Sequence, residues 1–82
     1  MEFTGELSGV VRFHRKRAGL TQAGLAKLAG VGKTAVFDVE KGKKTTKIDT
    51  LGKILRVLNV GMEFTGPLMA EYRRKRTTDG DQ

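Results

Sequence analysis

Apolar residues in the first part of the chain recur at intervals of three and four residues, the spacing that places side chains on one face of an α-helix. Four segments show this spacing, and each is followed by Gly or Asn, residues that tolerate the left-handed backbone at the end of a helix. The pattern therefore predicts four short helices, from about residue 7 to 17, 22 to 29, 32 or 33 to 41, and 48 to 58, which end at Gly19, Gly30, Gly42 and Asn59.

The same spacing predicts which side chains these helices bury. Ala26 is small enough to let the second and third helices approach closely, and the hydroxyl of Thr21 can cap the second helix by accepting a hydrogen bond from a free backbone N–H. The positions predicted to face the core are Leu7, Val10, Val11 and His14 in the first helix, Leu25, Leu28 and Ala29 in the second, Val36 and Val39 in the third, and Ile48, Leu51, Ile54, Leu55 and Leu58 in the fourth.

After Asn59 the apolar spacing changes from about 3.6 residues to about 2, which predicts a short half-buried strand that ends before Gly66-Pro67. A single strand has no partner within an otherwise helical chain. Either a second copy of the chain supplies the partner strand, or the segment is a loop laid on the core. We predict the first arrangement, a homodimer, because it joins two small cores that are each marginal alone. The predicted interface residues are Leu58, Val60, Met62 and Phe64.

The last part of the chain carries a weaker pattern. Leu68, Met69 and Tyr72 can line one or two turns of helix, whereas the segment from Arg73 onward has no apolar residue and is predicted to be mobile. The chain is therefore expected to divide into a folded domain at residues 1–66, which also dimerises, and a partly disordered tail at residues 67–82.

The charge of the chain narrows the class of partner. Its 82 residues form one small domain, in which 16 Lys and Arg against 9 Asp and Glu give a net charge of +7. Such an excess indicates a polyanionic partner, although it also serves solubility alone. With no cysteine, one histidine and no carboxylate cluster, the sequence predicts no enzyme, no metal and no cofactor. It shows neither a signal peptide nor a membrane span, so we expect a cytoplasmic protein with no membrane partner.

Residues 22–41 carry the most specific motif. Two short helices joined by a glycine-containing turn of three or four residues are the sequence form of a helix-turn-helix. The polar face of the second of these helices carries Lys33, Thr34 and Asp38, whose side chains can hydrogen-bond to base edges in the major groove. Together with the positive charge, this motif predicts binding to double-stranded DNA.

From Leu7 to Val60 the chain resembles the four-helix, lambda-repressor-like helix-turn-helix domain of xenobiotic-response-element (XRE) regulators. The residues that carry the resemblance are GLTQ at 19–22, LA at 25–26, AGV at 29–31, Val36, EKGK at 40–43 and DTL at 49–51. The fourth helix LGKILRVL, the asparagine turn and the segment VGMEF further resemble HipB-type antitoxins. In those proteins the strand completes a dimer, and the partner toxin is a HipA-type serine/threonine kinase. The resemblance implies a bacterial, nucleoid-associated repressor.

The resemblance also implies roles for individual side chains. Arg15 is expected to pair with Glu40 and so to fix the angle between the first and third helices. Arg12, Lys16 and Arg17 are assigned to a solvated face, with phosphate contact as the alternative. The expected base contacts are Lys33, Thr34, Phe37 and Asp38, and the expected phosphate contacts are Thr21, Gln22, Lys43, Lys44 and Lys47.

Two of these side chains have a second interpretation. Phe37 either contacts thymine methyls and sugars or packs partly within the domain. Asp38 either accepts a hydrogen bond from cytosine N4 or restrains a lysine such as Lys41. The basic run at residues 73–76 has three interpretations: a solvated tail, an arm that adds sequence-independent affinity for DNA, or a segment that becomes ordered on a protein partner.

A two-fold dimer would place its two third helices about 34 Å apart, one turn of DNA, and read an inverted repeat. We therefore hypothesise a repressor of its own operon that also binds and neutralises a HipA-like kinase toxin. The competing hypothesis is a free-standing XRE-family regulator that answers to phage or metabolic signals. A third class, a protein-interaction module, would bind DNA weakly and without sequence preference.

Overall fold

The computed structural model describes residues 3–79, with side chains through residue 76. The described part of the chain is all-α, as predicted, but the strand predicted after Asn59 is not formed, and residues 60–65 have no secondary structure in the single chain. None of its helices is both long and apolar enough to cross a membrane. The five helices are α1 (Phe3–Arg17), α2 (Gln22–Ala29), α3 (Lys33–Lys41), α4 (Ile48–Leu58) and α5 (Met69–Asp79).

The predicted helix ends are confirmed by backbone geometry. Gly30 closes α2 at φ 72°, and the next N–H, that of Val31, donates to the carbonyl of Ala26 at 3.0 Å. The same left-handed closure follows α1, α3 and α4, at Gly19, Gly42 and Asn59 respectively. At the other end of α2, the hydroxyl of Thr21 accepts a hydrogen bond from the N–H of Gly24 at 2.9 Å, which confirms the predicted cap.

The core lies between α1, α2, α3 and α4. Ala26 is 3% exposed and belongs to the core, and α2 packs against α3. The eight buried apolar residues that form the core are Val11, Leu25, Ala26, Val36, Val39, Leu51, Ile54 and Leu55. All eight come from the helices whose apolar spacing predicted burial, so the core holds the helix-turn-helix pair against α1 and α4.

Two predicted core positions were wrong. Leu28 is 64% exposed because the buried face of α2 is centred between Leu25 and Ala26, and Leu28 lies on the other side of Leu25. Ile48 is 75% exposed although it lies on the buried face of α4. It is the first residue of that helix, three positions before Leu51, the first buried residue of α4.

Both ends of the helical region differ from the sequence prediction. The first helix begins at Phe3 rather than Leu7, and α5 continues to Asp79 where one or two turns and then a mobile tail were predicted. Apart from Tyr72, residues 69–76 are Met, Ala, Glu, Arg and Lys, all good helix formers, which explains a helix with little apolar surface. The guanidinium Nη2 of Arg73 donates to the carbonyl of Phe64 at 2.7 Å and ties α5 to the segment before it.

Gly52 offers a test of the helix assignment. It lies on the exposed side of α4, and an added Cβ meets no atom within 4 Å. We expect Gly52→Ala to raise the free energy of unfolding by about 0.5–1 kcal/mol, because alanine loses less backbone entropy in a helix. Gly42→Ala, the matched control, should lower it by about 1–2 kcal/mol because Gly42 holds φ +86°. Urea unfolding of both variants measures the difference, and equal signs would contradict the assigned geometry.

Candidate nucleic-acid interface

Helix α3 divides its residues between the core and the solvent. Val36 and Val39 are fully or almost fully buried, so they fix the rotation of the helix about its axis. Lys33 and Thr34, in the first turn, are exposed. Two of the four side chains that the sequence predicted to read bases therefore lie on the solvent-exposed side of α3, directed away from the core.

The next turn of α3 carries Phe37 and Asp38. Phe37 is 48% exposed, and the Nζ of Lys41 lies 5.4 Å from the centre of its ring, a cation–π distance. Asp38 is half-buried and pairs with Lys43, whose Nζ lies 3.4 Å from the carboxylate. The lysine that Asp38 restrains is thus Lys43 and not Lys41, because Lys41 lies over the aromatic ring instead.

The loop between α3 and α4 is strongly basic. Lys43, Lys44 and Lys47 are all exposed, and the segment KKTTK at 43–47 contains no acidic residue. Lys47 occupies the N-cap position of α4 and makes no side-chain capping hydrogen bond. The loop therefore presents three of the predicted phosphate contacts directly after α3, the helix that exposes Lys33 and Thr34.

The start of α2 carries the other two predicted phosphate contacts. Thr21 is exposed, and its oxygen accepts the capping hydrogen bond through one lone pair, so its O–H is still able to donate to a phosphate. Gln22 is half-buried, and its amide Nε2 donates to the Oε1 of Glu40 at 3.1 Å. Gln22 is thus tied to a buried carboxylate, a contact that the sequence did not reveal.

Arg15 and Glu40 form the pair that the resemblance implied. The guanidinium donates through Nε to Oε2 at 2.6 Å and through Nη2 to Oε1 at 2.9 Å, a two-pronged contact between α1 and α3. Only 11% of the Arg15 side chain and 1% of the Glu40 side chain are exposed. The third guanidinium nitrogen, Nη1, donates to the carbonyl of Leu20 at 2.9 Å, so the pair also anchors the turn before α2.

Burial alone would raise the pKa of Glu40. The hydrogen bonds from Arg15 and Gln22, together with the charges of Arg15 and Arg12, outweigh that effect and hold the pKa below its usual range. The hydrogen bond to Glu40 in turn raises the pKa of Arg15, against the opposite effect of its burial. Both groups therefore stay charged at neutral pH.

This lowered pKa predicts a loss of stability in acid. Glu40 has a pKa of about 4.3 in the unfolded chain and a lower one in the folded chain, so its contribution to the free energy of unfolding is fully present above about pH 5. That contribution should disappear as the pH falls through the folded pKa. Urea unfolding at a series of pH values below 6 measures it. In Glu40→Gln the acid dependence should be smaller, and an unchanged dependence would refute the assignment.

Three contacts with Glu40 were missed by the sequence analysis. The hydroxyl of Ser8 donates to its backbone carbonyl, Gln22 donates to its carboxylate, and the Nε of Arg12 lies 3.7 Å from Oε1. Arg12 precedes Arg15 by three residues and so shares its helix face, a signal that was present in the spacing. Ser8 lies four residues before Arg12 and so shares this face too, whereas no local pattern indicates the contact from Gln22 in α2.

The predicted dimer residues fall into two groups. Leu58 and Val60 are half-buried and pack against the core of their own chain. Met62 and Phe64 are 47% and 73% exposed, in a segment without secondary structure. An apolar groove of about 140 Å³ adjoins this segment and is lined mainly by Phe3, Leu7, Val10, Leu55, Val60 and Met62.

The model of one protein family, described as helix-turn-helix, matches residues 11–64. The chain belongs to the helix-turn-helix family. The matched range begins at a buried residue of α1, contains α2, α3 and α4, and ends at Phe64. It therefore includes the exposed face of α3, the basic loop and both members of the buried ion pair.

A curated relative and three solved structures are similar to this chain. The relative, an uncharacterised HTH-type transcriptional regulator named y4mF from Sinorhizobium fredii (strain NBRC 101917 / NGR234), is 34% identical over 62 residues, which cover 76% of this chain and 82% of the relative. A structure titled MDT Protein superposes with a TM-score of 0.72 at 25% identity and covers 82% of this chain and 94% of its own.

The other two structures are complexes. One is a HipB variant in a complex with an O2 20mer, at a TM-score of 0.72 and 27% identity, covering 82% of this chain and 93% of the other. The second is a HipA-HipB-O2-O3 complex, at a TM-score of 0.72 and 25% identity, covering 82% of this chain and 94% of the other. The resemblance to XRE-type and HipB-type proteins is confirmed by these matches.

Proposed function

We propose that this protein is a sequence-specific DNA-binding transcriptional repressor of the bacterial cytoplasm. The observation that carries the proposal is the exposure of Lys33 and Thr34 at the start of α3, a helix whose opposite face is buried. Such a helix fits the major groove, where lysine can donate to guanine and threonine can contact thymine. The exposed lysines of residues 43–47 then supply phosphate contacts that set the register on the duplex.

The repressor acts as a homodimer in this proposal. Met62 and Phe64 alternate with polar or small residues in a segment that lacks secondary structure in a single chain, and both side chains are exposed. Pairing of this segment with its counterpart in a second copy would form a two-stranded antiparallel ribbon and cover both side chains. The two α3 helices would then read the halves of an inverted repeat.

Selection of duplexes from a random-sequence library tests the DNA-binding proposal directly. We expect recovery of an inverted repeat whose half-sites are about 10 base pairs apart, one turn of DNA. Fluorescence anisotropy should then show at least about a thousandfold tighter binding to the selected duplex than to a random-sequence duplex. Similar affinities for the two duplexes would instead support the protein-interaction module and reject the repressor.

We further propose that the protein is the antitoxin of a toxin–antitoxin operon and restrains a HipA-like serine/threonine kinase. The similarity to HipB within a HipA-HipB complex supports this role, as does similarity that extends over 82% of the chain. Co-expression with the product of the adjacent gene, followed by affinity purification, tests it. A stable complex and an inhibited kinase are expected. A neighbour that neither binds nor encodes a kinase would leave the free-standing XRE-family regulator as the better description.

A further inference from the structure

Arg12 lies beside the buried ion pair without sharing its hydrogen bonds. Both carboxylate oxygens of Glu40 already accept hydrogen bonds, Oε2 from Arg15 and Oε1 from Arg15 and Gln22. The Nε of Arg12 is 3.7 Å from Oε1, which is too long for a hydrogen bond, and 60% of its side chain is exposed. Glu40 therefore holds the Arg12 guanidinium by charge and leaves its N–H donors for another acceptor.

We propose that Arg12 and Gln22 grip one phosphate of the DNA backbone between them, with Glu40 as the residue that positions both. Because Arg12 Nε and Gln22 Nε2 approach the same oxygen, the two nitrogens lie at most about 7 Å apart. A phosphate that accepts a charge-assisted hydrogen bond of about 2.8 Å from each side chain spans this separation. The inference rests on the proposed function, since it assigns one more contact to the same DNA-binding surface.

The charges and the donors in this cluster match a phosphate. Arg12 and Arg15 carry two positive charges against the one negative charge of Glu40, so the cluster retains a net positive charge. A guanidinium binds phosphate through parallel N–H donors, which makes Arg12 the stronger half of the grip. Gln22 uses one amide hydrogen on Glu40 and keeps the second for the phosphate.

Arg12→Gln tests the grip against Lys16→Gln, which removes the same charge from another exposed position of α1. Anisotropy titrations use the selected duplex and a random-sequence duplex over roughly 50–200 mM salt. Arg12→Gln should weaken binding to both duplexes by a similar factor, about tenfold at 0.1 M salt. The slope of log K against log salt should become shallower by about 2, because a dimer loses two phosphate contacts. Lys16→Gln should change each affinity less than about threefold and leave the slope unchanged.

A double-mutant cycle separates a shared phosphate from two independent contacts. If one phosphate is held by both side chains, Arg12→Gln combined with Gln22→Ala should weaken binding by less than the product of the two single factors. Arg12→Lys serves as a second variant in case Arg12→Gln is too unstable to assay. It keeps the charge, so its slope of log K against log salt should match that of the wild type. Thermal unfolding of every variant controls for stability.

The outcomes separate this inference from the function on which it rests. Equal slopes for Arg12→Gln and Lys16→Gln in a protein that still binds DNA overturn the grip alone. If the loss of DNA affinity in the double variant equals the product of the losses in Arg12→Gln and Gln22→Ala, the two side chains do not share one phosphate. A wild-type protein that binds no duplex overturns the proposed function and the grip together.

Discussion

Arg15→Ala is expected to lower the free energy of unfolding by about 3–5 kcal/mol, a large part of the stability of a small domain. The substitution leaves the carboxylate of Glu40, 1% exposed, without its two-pronged partner. Removing one charge of a buried pair costs more than the pair itself contributes, because the remaining charge stays in a low-dielectric environment. Arg12 at 3.7 Å is exposed to solvent and makes no hydrogen bond to Glu40, so it offsets only part of this loss.

Lys53→Ala is the matched control for this prediction. Lys53 also pairs with a carboxylate, that of Asp49 at 3.5 Å, but 48% and 80% of the two side chains are exposed. An exposed pair one helical turn apart contributes about 0.3–0.5 kcal/mol, so this variant should be nearly as stable as the wild type. Urea unfolding at pH 7 compares the two variants. Similar losses would show that burial does not set the strength of the Arg15–Glu40 interaction.

The helices could be predicted from the sequence because their ends and faces depend on neighbouring residues. Gly30 and Asn59 mark helix ends through their own backbone preference, and the core of α4 follows from the repeat of Leu51, Ile54 and Leu55. Burial at the edge of a face depends instead on the packed neighbour. Leu28 and Ile48 fit the helical period, yet nothing from another helix covers them enough to bury them.

The C-terminal helix shows where apolar spacing carries no information. After Tyr72, α5 contains no apolar residue, so the spacing that identified the other helices does not continue along it. Intrinsic helix propensity is the remaining signal, and it is weak for a segment of 11 residues. The hydrogen bond from Arg73 to Phe64 spans nine residues and fits no helical interval. Sequence alone therefore predicted one or two turns of helix at Leu68, Met69 and Tyr72 and a mobile tail from Arg73 onward.

The candidate interface shows the same division between local and long-range information. Lys33 and Thr34 were placed at the start of α3 by the glycine turn before them, a local signal. The link from Gln22 to Glu40 joins residues 18 positions apart on two helices. It exists only because the helix-turn-helix packing brings the two side chains together. The position of individual candidate side chains in α3 could thus be predicted, but the hydrogen-bond network around Glu40 could not.

Lys33→Ala and Thr34→Ala should each remove most of the preference for the selected duplex. Both residues are exposed in the first turn of α3, so neither substitution should lower the free energy of unfolding by more than about 0.5 kcal/mol. A base contact contributes about 1–3 kcal/mol of discrimination, and each dimer loses two of them. The ratio of affinities for the selected and random-sequence duplexes should therefore fall roughly 30-fold or more in anisotropy titrations.

Lys47→Ala separates base reading from general electrostatic attraction, because it removes the same charge as Lys33→Ala from the loop before α4. A phosphate contact carries no sequence information, so this variant should weaken binding to both duplexes alike and keep their ratio. Thr34→Ala provides the complementary case, since it changes selectivity without changing charge. If Lys33→Ala lowered both affinities equally, as Lys47→Ala should, Lys33 would be a phosphate contact. If the ratio of the two affinities were also unchanged in Thr34→Ala, the exposed first turn of α3 would not read the operator.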